Sequence, residues 1–275
     1  RVRQLSPFKR FVYWIKERES IRLKKESDCP KPWTDDSVLQ SYRFTNVRRM
    51  DDKVSRWLLT NWYKPNFNHP LMLQAVALAR FINKPETLVQ IGFPPVWSPE
   101  EIKAALREWR DKGNTVFGAA YMVRGNDGED KISSVVDYYV SALKDVVIDT
   151  SSMEETHKRI QACHGFGSFM AGQVVADLRH AVKGKWKDKH TWAPMSPGSR
   201  RGLNRLMGRD KSETISQKQF LEELIALIEK VSPKLPETIT KRMECHDWQN
   251  CLCEIDKLNR ALNSEGRPKQ KYKGT

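Results

Sequence analysis

Ile160-Gln161-Ala162-Cys163-His164-Gly165-Phe166-Gly167-Ser168-Phe169-Met170-Ala171-Gly172 is the stretch on which the reading of the fold turns. The residues before Gly165 and after Ser168 carry helical patterns, so Gly-Phe-Gly is a tight turn between two helices. Its two glycines admit positive φ and let a ligand approach the backbone closely. Ser168 stands where it would cap the second helix. The amides of such a turn, with the positive end of the following helix, point outward and suit a phosphate. The same pattern also describes an ordinary αα-hairpin.

Outward from this hairpin the pattern stays helical. Phe11, Val12, Ile15 and Ile21 place a helix over 8–25, and Asp35-Asp36 caps a short one through Tyr42. Val54, Trp57, Leu58 and Trp62 give a stripe over 51–63, Pro70 opens a further helix, and Pro85 starts one through Ile91. Ser98-Pro99-Glu100-Glu101 begins a helix to about Asp111. Others follow at 131–148, 152–162, 168–182, 200–207, 216–231 and 247–262. Val116–Met122 is one of few strand candidates. The sequence predicts an all-α protein: one helical domain over 1–275, with lobes at 1–125 and 130–262 and a basic tail at 263–275. The polar segment 183–199 is the expected functional loop.

Composition narrows the partners. The 275 residues hold 48 Lys+Arg and 34 Asp+Glu, a formal charge of +14. Between Arg179 and Lys211 stand ten Lys/Arg against Asp188 and Asp210, interleaved with Trp186 and Trp192. Nine more lie in the first 25 residues, and Arg267, Lys269, Lys271 and Lys273 lie in the tail. Clustered cations suit a polyanion, nucleic acid above all. No run approaches the roughly 18 apolar residues of a membrane span. Five cysteines, an odd number, suit a reducing compartment better than a disulfide framework. Cys245-His246 with Cys251 and Cys253 lacks zinc-site spacing, so neither metal nor cofactor is expected.

Three places could carry chemistry. Asp188 lies among Lys185, Lys187, Lys189 and Lys183, where cations keep a carboxylate ionised; it reads as a base or as a solvated loop residue. Ser196-Pro197-Gly198-Ser199-Arg200-Arg201-Gly202-Leu203-Asn204-Arg205 puts cations in the first turn of a helix, against its dipole. A bound phosphate would account for that, as would a DNA-backbone face. Pro32-Trp33-Thr34 and Phe44-Thr45-Asn46-Val47-Arg48-Arg49-Met50-Asp51-Asp52 alternate polar and aromatic residues without a clean period. There Asn46 could read a base edge and Arg49 hold a phosphate, with Asp52 orienting it. An internal salt-bridge cluster including Glu17, Arg18 and Arg22 is the other reading.

Two resemblances follow from these residues. The Gly165-Phe166-Gly167-Ser168 turn resembles the helix-hairpin-helix of DNA repair glycosylases, which grips the DNA backbone without reading bases. Phe169 stands where the bifunctional members carry a Schiff-base lysine, so that chemistry is excluded. Glu17-Arg18, Ile21-Arg22, Pro32-Trp33-Thr34, Phe44-Thr45-Asn46-Val47, Arg49 to Asp52, Phe117-Gly118-Ala119-Ala120-Tyr121-Met122, Pro197 to Asn204, and Cys253-Glu254-Ile255-Asp256-Lys257 resemble the phage α-glutamyl/putrescinyl-thymine pyrophosphorylase family. A related helical domain accompanies 5-hydroxymethyl-deoxyuridine DNA kinases. The resemblance implies a helix-hairpin-helix glycosylase-like fold and transfer of an amine onto phosphorylated 5-hydroxymethyluracil in double-stranded DNA, with base flipping. The donor would be an amino acid such as glycine, or a polyamine. A separate kinase would act first, in the cytoplasm of an infected bacterium. In this reading Asp188 and Asp52 are the catalytic carboxylates. Arg49, Ser199, Arg200, Arg201 and Arg205 hold phosphate, and Trp33, Asn46 and Asn204 contact base or substrate. A base-excision glycosylase using Asp188, and a non-enzymatic accessory of the kinase, are the competing readings. The chain carries no Gly-x4-Gly-Lys-[Ser/Thr] motif, which sets it apart from the kinase.

Overall fold

In the computed structural model residues 2–266 are described, and helices carry nearly all of the regular structure. They are α1 (Pro7–Glu26), α2 (Ser37–Ser41), α3 (Lys53–Leu58), α4 (Met72–Ile82), α5 (Pro85–Ile91), α6 (Pro99–Asp111), α7 (Lys131–Ser133), α8 (Met153–Gln161), α9 (Ser168–Ala181), α10 (Pro197–Leu206), α11 (Gln217–Val231), α12 (Glu237–Thr240) and α13 (Cys245–Leu262). Turns of π-helix extend α3 over Leu59–Tyr63 and α7 over Ser134–Val140. The expected helix over 131–148 therefore changes pitch and stops at Leu143. No β-strand occurs among the described residues, which corrects the candidate at 116–122. That segment is instead tied by the Gly118 amide to the Ile82 carbonyl, at 2.8 Å. No helix among these residues is long and apolar enough to cross a membrane. The tail cations Arg267, Lys269, Lys271 and Lys273 lie outside the described residues.

The chain forms two compact units, and they do not follow the sequential lobes expected at 1–125 and 130–262. One joins both chain ends, 1–52 with 190–275; the other is 53–189.

The 53–189 unit is organised around α4. All eleven of its residues are buried, because Ala, Val, Leu and Met leave no polar face. Gln74 and Arg80 are the polar exceptions, and Arg80 alone carries a charge. Its guanidinium meets Asp177 of α9 with two hydrogen bonds, at 2.5 and 3.0 Å, and Ser55 at 2.8 Å. Tyr63 donates to the same carboxylate. Both charges are thus paired and hydrogen-bonded, the condition for burying them.

The 1–52/190–275 unit has its core where α1 (Phe11, Trp14, Ile15), α11 (Phe220, Leu224, Leu227) and α13 (Cys251, Leu252, Ile255, Leu258) meet. The apolar residues of α13 recur three and four apart, the period of one helix face. α10 lies almost backbone to backbone on α13: a Cβ at Gly202 would stand 2.0 Å from the Leu252 carbonyl oxygen. Asp256, fully buried, then takes Arg201 at 2.9 Å and Arg205 at 3.0 Å from α10, with Arg260 at 3.4 Å from its own helix.

Gly202→Ala should force these two backbones apart and cost about 2–3 kcal/mol, the upper range for overpacking. Urea unfolding of the variant should show the midpoint falling with the slope unchanged.

Candidate functional site

Arg43 to Asp52, between α2 and α3, is an irregular segment whose backbone groups need outside partners. α1 and α13 supply them. Arg18 Nε donates to the Thr45 carbonyl at 3.0 Å. The Thr45 amide donates to Glu254 at 2.9 Å, and Asn250 donates to the Thr45 hydroxyl at 2.9 Å. Lys257 bridges Glu254 and the Arg43 carbonyl. Asn250, Glu254 and Lys257 are spaced as one polar stripe of α13. The sequence reading had singled out Glu254 and Lys257 only by resemblance and had passed over Asn250.

Two adjacent carboxylates in this segment have opposite surroundings. Asp51 is neutralised by Arg242 at 3.0 Å, Arg48 at 3.5 Å and Arg22 at 3.7 Å. Asp52 accepts one hydrogen bond, from the Asn46 amide at 2.8 Å to Oδ1. Its Oδ2 has no hydrogen-bond partner among the described residues. Burial pushes the Asp52 carboxyl up to about 6, against the Asn46 amide and the charge of Arg49, which lower it. Asn46 gives its amide NH₂ to the Asp51 carbonyl at 2.8 Å, which fixes the side chain's orientation. Its Oδ1 is then buried without a hydrogen-bond partner. An open carboxylate oxygen and an open amide oxygen thus lie on one short segment, beside the cations Arg18 and Arg49 that bear on Asp52.

The other residues expected in the site have different surroundings. Ser199 is wholly buried in a capping box with Ser196, which starts α10 at Pro197 rather than at 200. Asn204 is buried, donating to the Glu213 carbonyl at 2.9 Å and accepting from Arg209. Arg201 and Arg205 are held by Asp256, and Arg205 also by Glu265 at 2.7 Å. Arg209 is held by Glu223 at 2.6 Å. These groups fasten α10 in place, and the cations of its helix are answered by carboxylates rather than by a phosphate. Arg200 alone of this group has its Nε buried without a hydrogen-bond partner among the described residues. Trp33 donates its indole N–H to the Cys29 carbonyl at 2.8 Å, with Lys25 and Lys31 about its ring at 5.0 and 5.2 Å.

In the 53–189 unit, Asp188 is a helix cap. Its carboxylate accepts from the Met153 amide at 2.8 Å, the Glu154 amide at 2.9 Å and the Ser152 hydroxyl at 3.0 Å. These are the first amides of α8, which a carboxylate satisfies while complementing the dipole. The carboxylate expected as a catalytic base thus has both oxygens engaged in capping α8. Lys183, Lys185 and Lys187 around it are exposed.

The turn between α8 and α9 forms as the glycines require. Gly165 has φ +84°, and a Cβ there would meet the Tyr139 ring at 2.0 Å. Phe166 is buried against Phe81, with ring centroids 5.3 Å apart. The cap of α9 is Gly167, not Ser168, and it makes no side-chain cap hydrogen bond. His157 binds the Ser168 carbonyl at 3.0 Å, and burial lowers its pKa.

The family model for "5-hmdU DNA kinase, helical domain" matches residues 6–267. A protein of Bacillus phage SP10 named "5-hmdU DNA kinase" is 29% identical over 201 residues, which is 63% of this chain and 32% of that protein. The chain therefore spans about a third of the length of that relative. No solved structure matches. These findings correct the assignment to the pyrophosphorylase family, and with it amine transfer and the amino acid or polyamine donor. Base excision and a non-enzymatic accessory role do not match either. The missing phosphate-loop motif misled in the same way: the chain matches the helical domain of the kinase family rather than standing apart from it.

Two substitutions separate support from chemistry. Asp188→Ala should cost about 1–2 kcal/mol through the lost cap. Asp52→Asn should act oppositely. The folded value near 6 exceeds the usual 3.8, so the fold favours the protonated form. The charged carboxylate then costs stability above pH 6, and the cost fades as pH falls from about 6 toward 4. Asp52→Asn should therefore stabilise by about 1–2 kcal/mol at pH 8 and by little at pH 4, read by urea unfolding at both.

Proposed function

The chain belongs to the family of 5-hmdU DNA kinase helical domains, and from that premise we propose that it serves the phosphorylation of 5-hydroxymethyluracil in DNA by providing the substrate side of the reaction. The observation that carries the reading is Asp52, a desolvated carboxylate with an open oxygen and a pKa raised to about 6. Phosphoryl transfer needs little covalent help from a protein; it needs the attacking hydroxyl held in line and its proton accepted. Asp52 accepts the hydroxymethyl proton as general base, at a pKa near working pH. Asn46 Oδ1 is an acceptor suited to the N3–H of a uracil ring. Arg49 and Arg18 oppose the negative charge that gathers as the phosphoryl group arrives.

DNA carrying hydroxymethyluracil is the partner. The uncapped start of α9 and the Gly165–Gly167 turn support backbone gripping of the helix-hairpin-helix kind, and the exposed Lys183, Lys185 and Lys187 add attraction without sequence preference. A base inside the stack is beyond reach of a half-buried carboxylate, so the target nucleotide leaves the helix. The phosphoryl group comes from a nucleoside triphosphate, and the setting is the cytoplasm of a phage-infected bacterium.

Two assays test this. In competition binding, hydroxymethyluracil duplex should outcompete the thymine duplex by about tenfold, the worth of one hydrogen bond to a charged group. The preference should weaken as pH falls below 6 and vanish in Asp52→Asn. With γ-labelled ATP and Mg²⁺, label should enter hydroxymethyluracil DNA and not thymine DNA. The absence of both the preference and the label would overturn the reading.

A further inference from the structure

The surface beside the α8–α9 turn is built from two segments distant in sequence. Tyr139 holds them together. Its ring occupies the space at Gly165, and its hydroxyl donates to the Arg124 carbonyl at 2.9 Å. His164 of the turn meets Asn126 Oδ1 at 3.0 Å. On the same side, Tyr121 packs edge-on against Phe169, with centroids 5.6 Å apart, and its hydroxyl donates to Gln173 at 3.1 Å. The 121–126 segment is thus fastened to the turn at three points.

On this fastened surface, large apolar side chains face solvent. Phe169, in the first turn of α9, is 42% exposed, and Met122, one residue beyond Tyr121, is 86% exposed. Both are open to a binding partner on a segment held in place by the contacts above. What surrounds them identifies the occupant. The first amides of α9 have no side-chain cap. Arg124 is exposed, with no ion pair among the described residues. Apolar side chains flanked by amide donors and a cation fit a ligand that alternates flat apolar rings with phosphates.

We propose that Phe169 and Met122 form a wedge that enters duplex DNA between stacked bases, while the amides of the α9 start and Arg124 hold the adjoining phosphates. Apolar wedges of this kind unstack a step and bend the duplex. The proposal rests on the DNA-binding part of the function proposed above and adds how the 53–189 unit engages the duplex.

The test uses the whole chain and a duplex with 2-aminopurine next to the hydroxymethyluracil; the probe brightens when its stacking is lost. The wild-type protein should raise the signal several-fold at saturation. Phe169→Ala with Met122→Ala should remove most of that rise and weaken binding on the order of tenfold, the size of one lost base–aromatic stack. The dependence on salt should stay the same, because the phosphate contacts remain. Both side chains face solvent, so the unfolding midpoint serves as the control for intact folding. An unchanged rise in the double variant overturns the proposal. So does a wild-type protein that saturates the duplex without brightening it, or that binds no DNA, which would leave the apolar pair to a protein partner. A wedge response equal on thymine and hydroxymethyluracil duplexes, with no phosphorylation, would sink the kinase reading and leave the wedge standing.

Discussion

The closeness of α10 to α13 at Gly202 is the constraint on which the 1–52/190–275 unit depends. With a Cβ-to-carbonyl distance of 2.0 Å for any larger residue, no side chain can separate the two helices there. Asp256 can then be fully buried, because Arg201 and Arg205 reach it from α10 and Arg260 from its own helix. The same approach sets Ser196 Oγ 3.3 Å from Cys253 Sγ and within 3.1 Å of Gln249. One side of α13 is thus committed to α10. Its remaining polar stripe, Asn250, Glu254 and Lys257, holds the Arg43–Asp52 segment. The position of Asp52 is therefore inherited from a helix contact in which it takes no part.

Local signals were legible, and distant ones were not. Pro85, Ser98-Pro99 and Asp36 mark helix starts through their own backbones, and those helices begin where the residues indicate. The turn at Gly165 is local in the same sense. The pairing of the cations of 201–209 could not be seen locally, because the carboxylates that meet them lie elsewhere in the chain, at Glu223, Asp256 and Glu265. A cation at the start of a helix looks unpaired until the fold brings a carboxylate to it. Asp188 shows the same limit in reverse: neighbouring lysines suggest an activated carboxylate, while the amides it accepts from, those of Met153 and Glu154, lie 35 and 34 residues away in sequence. The π turns after α3 and α7 leave no mark that residue periodicity would detect.

The family assignment failed in an instructive place. The stretch from Ser199 to Asn204 was among the most specific blocks of the resemblance, and the structure employs it in packing. Gly202 admits α13, Ser199 completes a cap, Leu203 enters the core, Arg201 neutralises Asp256 and Asn204 ties down the chain after α10. Residues conscripted for packing describe a scaffold, and a scaffold carries more than one chemistry. A likeness resting on them bears on architecture more firmly than on the group transferred.

A raised pKa does not by itself distinguish a base from a structural carboxylate, and this unit holds two raised carboxylates in different surroundings. Burial lifts both Asp52 and Asp247 to about 6. Asp247 accepts the Arg49 amide at 2.8 Å on one oxygen and the Glu244 amide at 2.9 Å on the other. Both its oxygens are engaged at the start of α13. Asp52 meets a single amide and keeps Oδ2 open. The two share desolvation and differ in vacancy. A general base must combine a value near working pH with an oxygen that a substrate proton can reach. By that criterion the pair separates without reference to the family, and the carboxylate that remains is the one on the segment that also presents the unpartnered Oδ1 of Asn46.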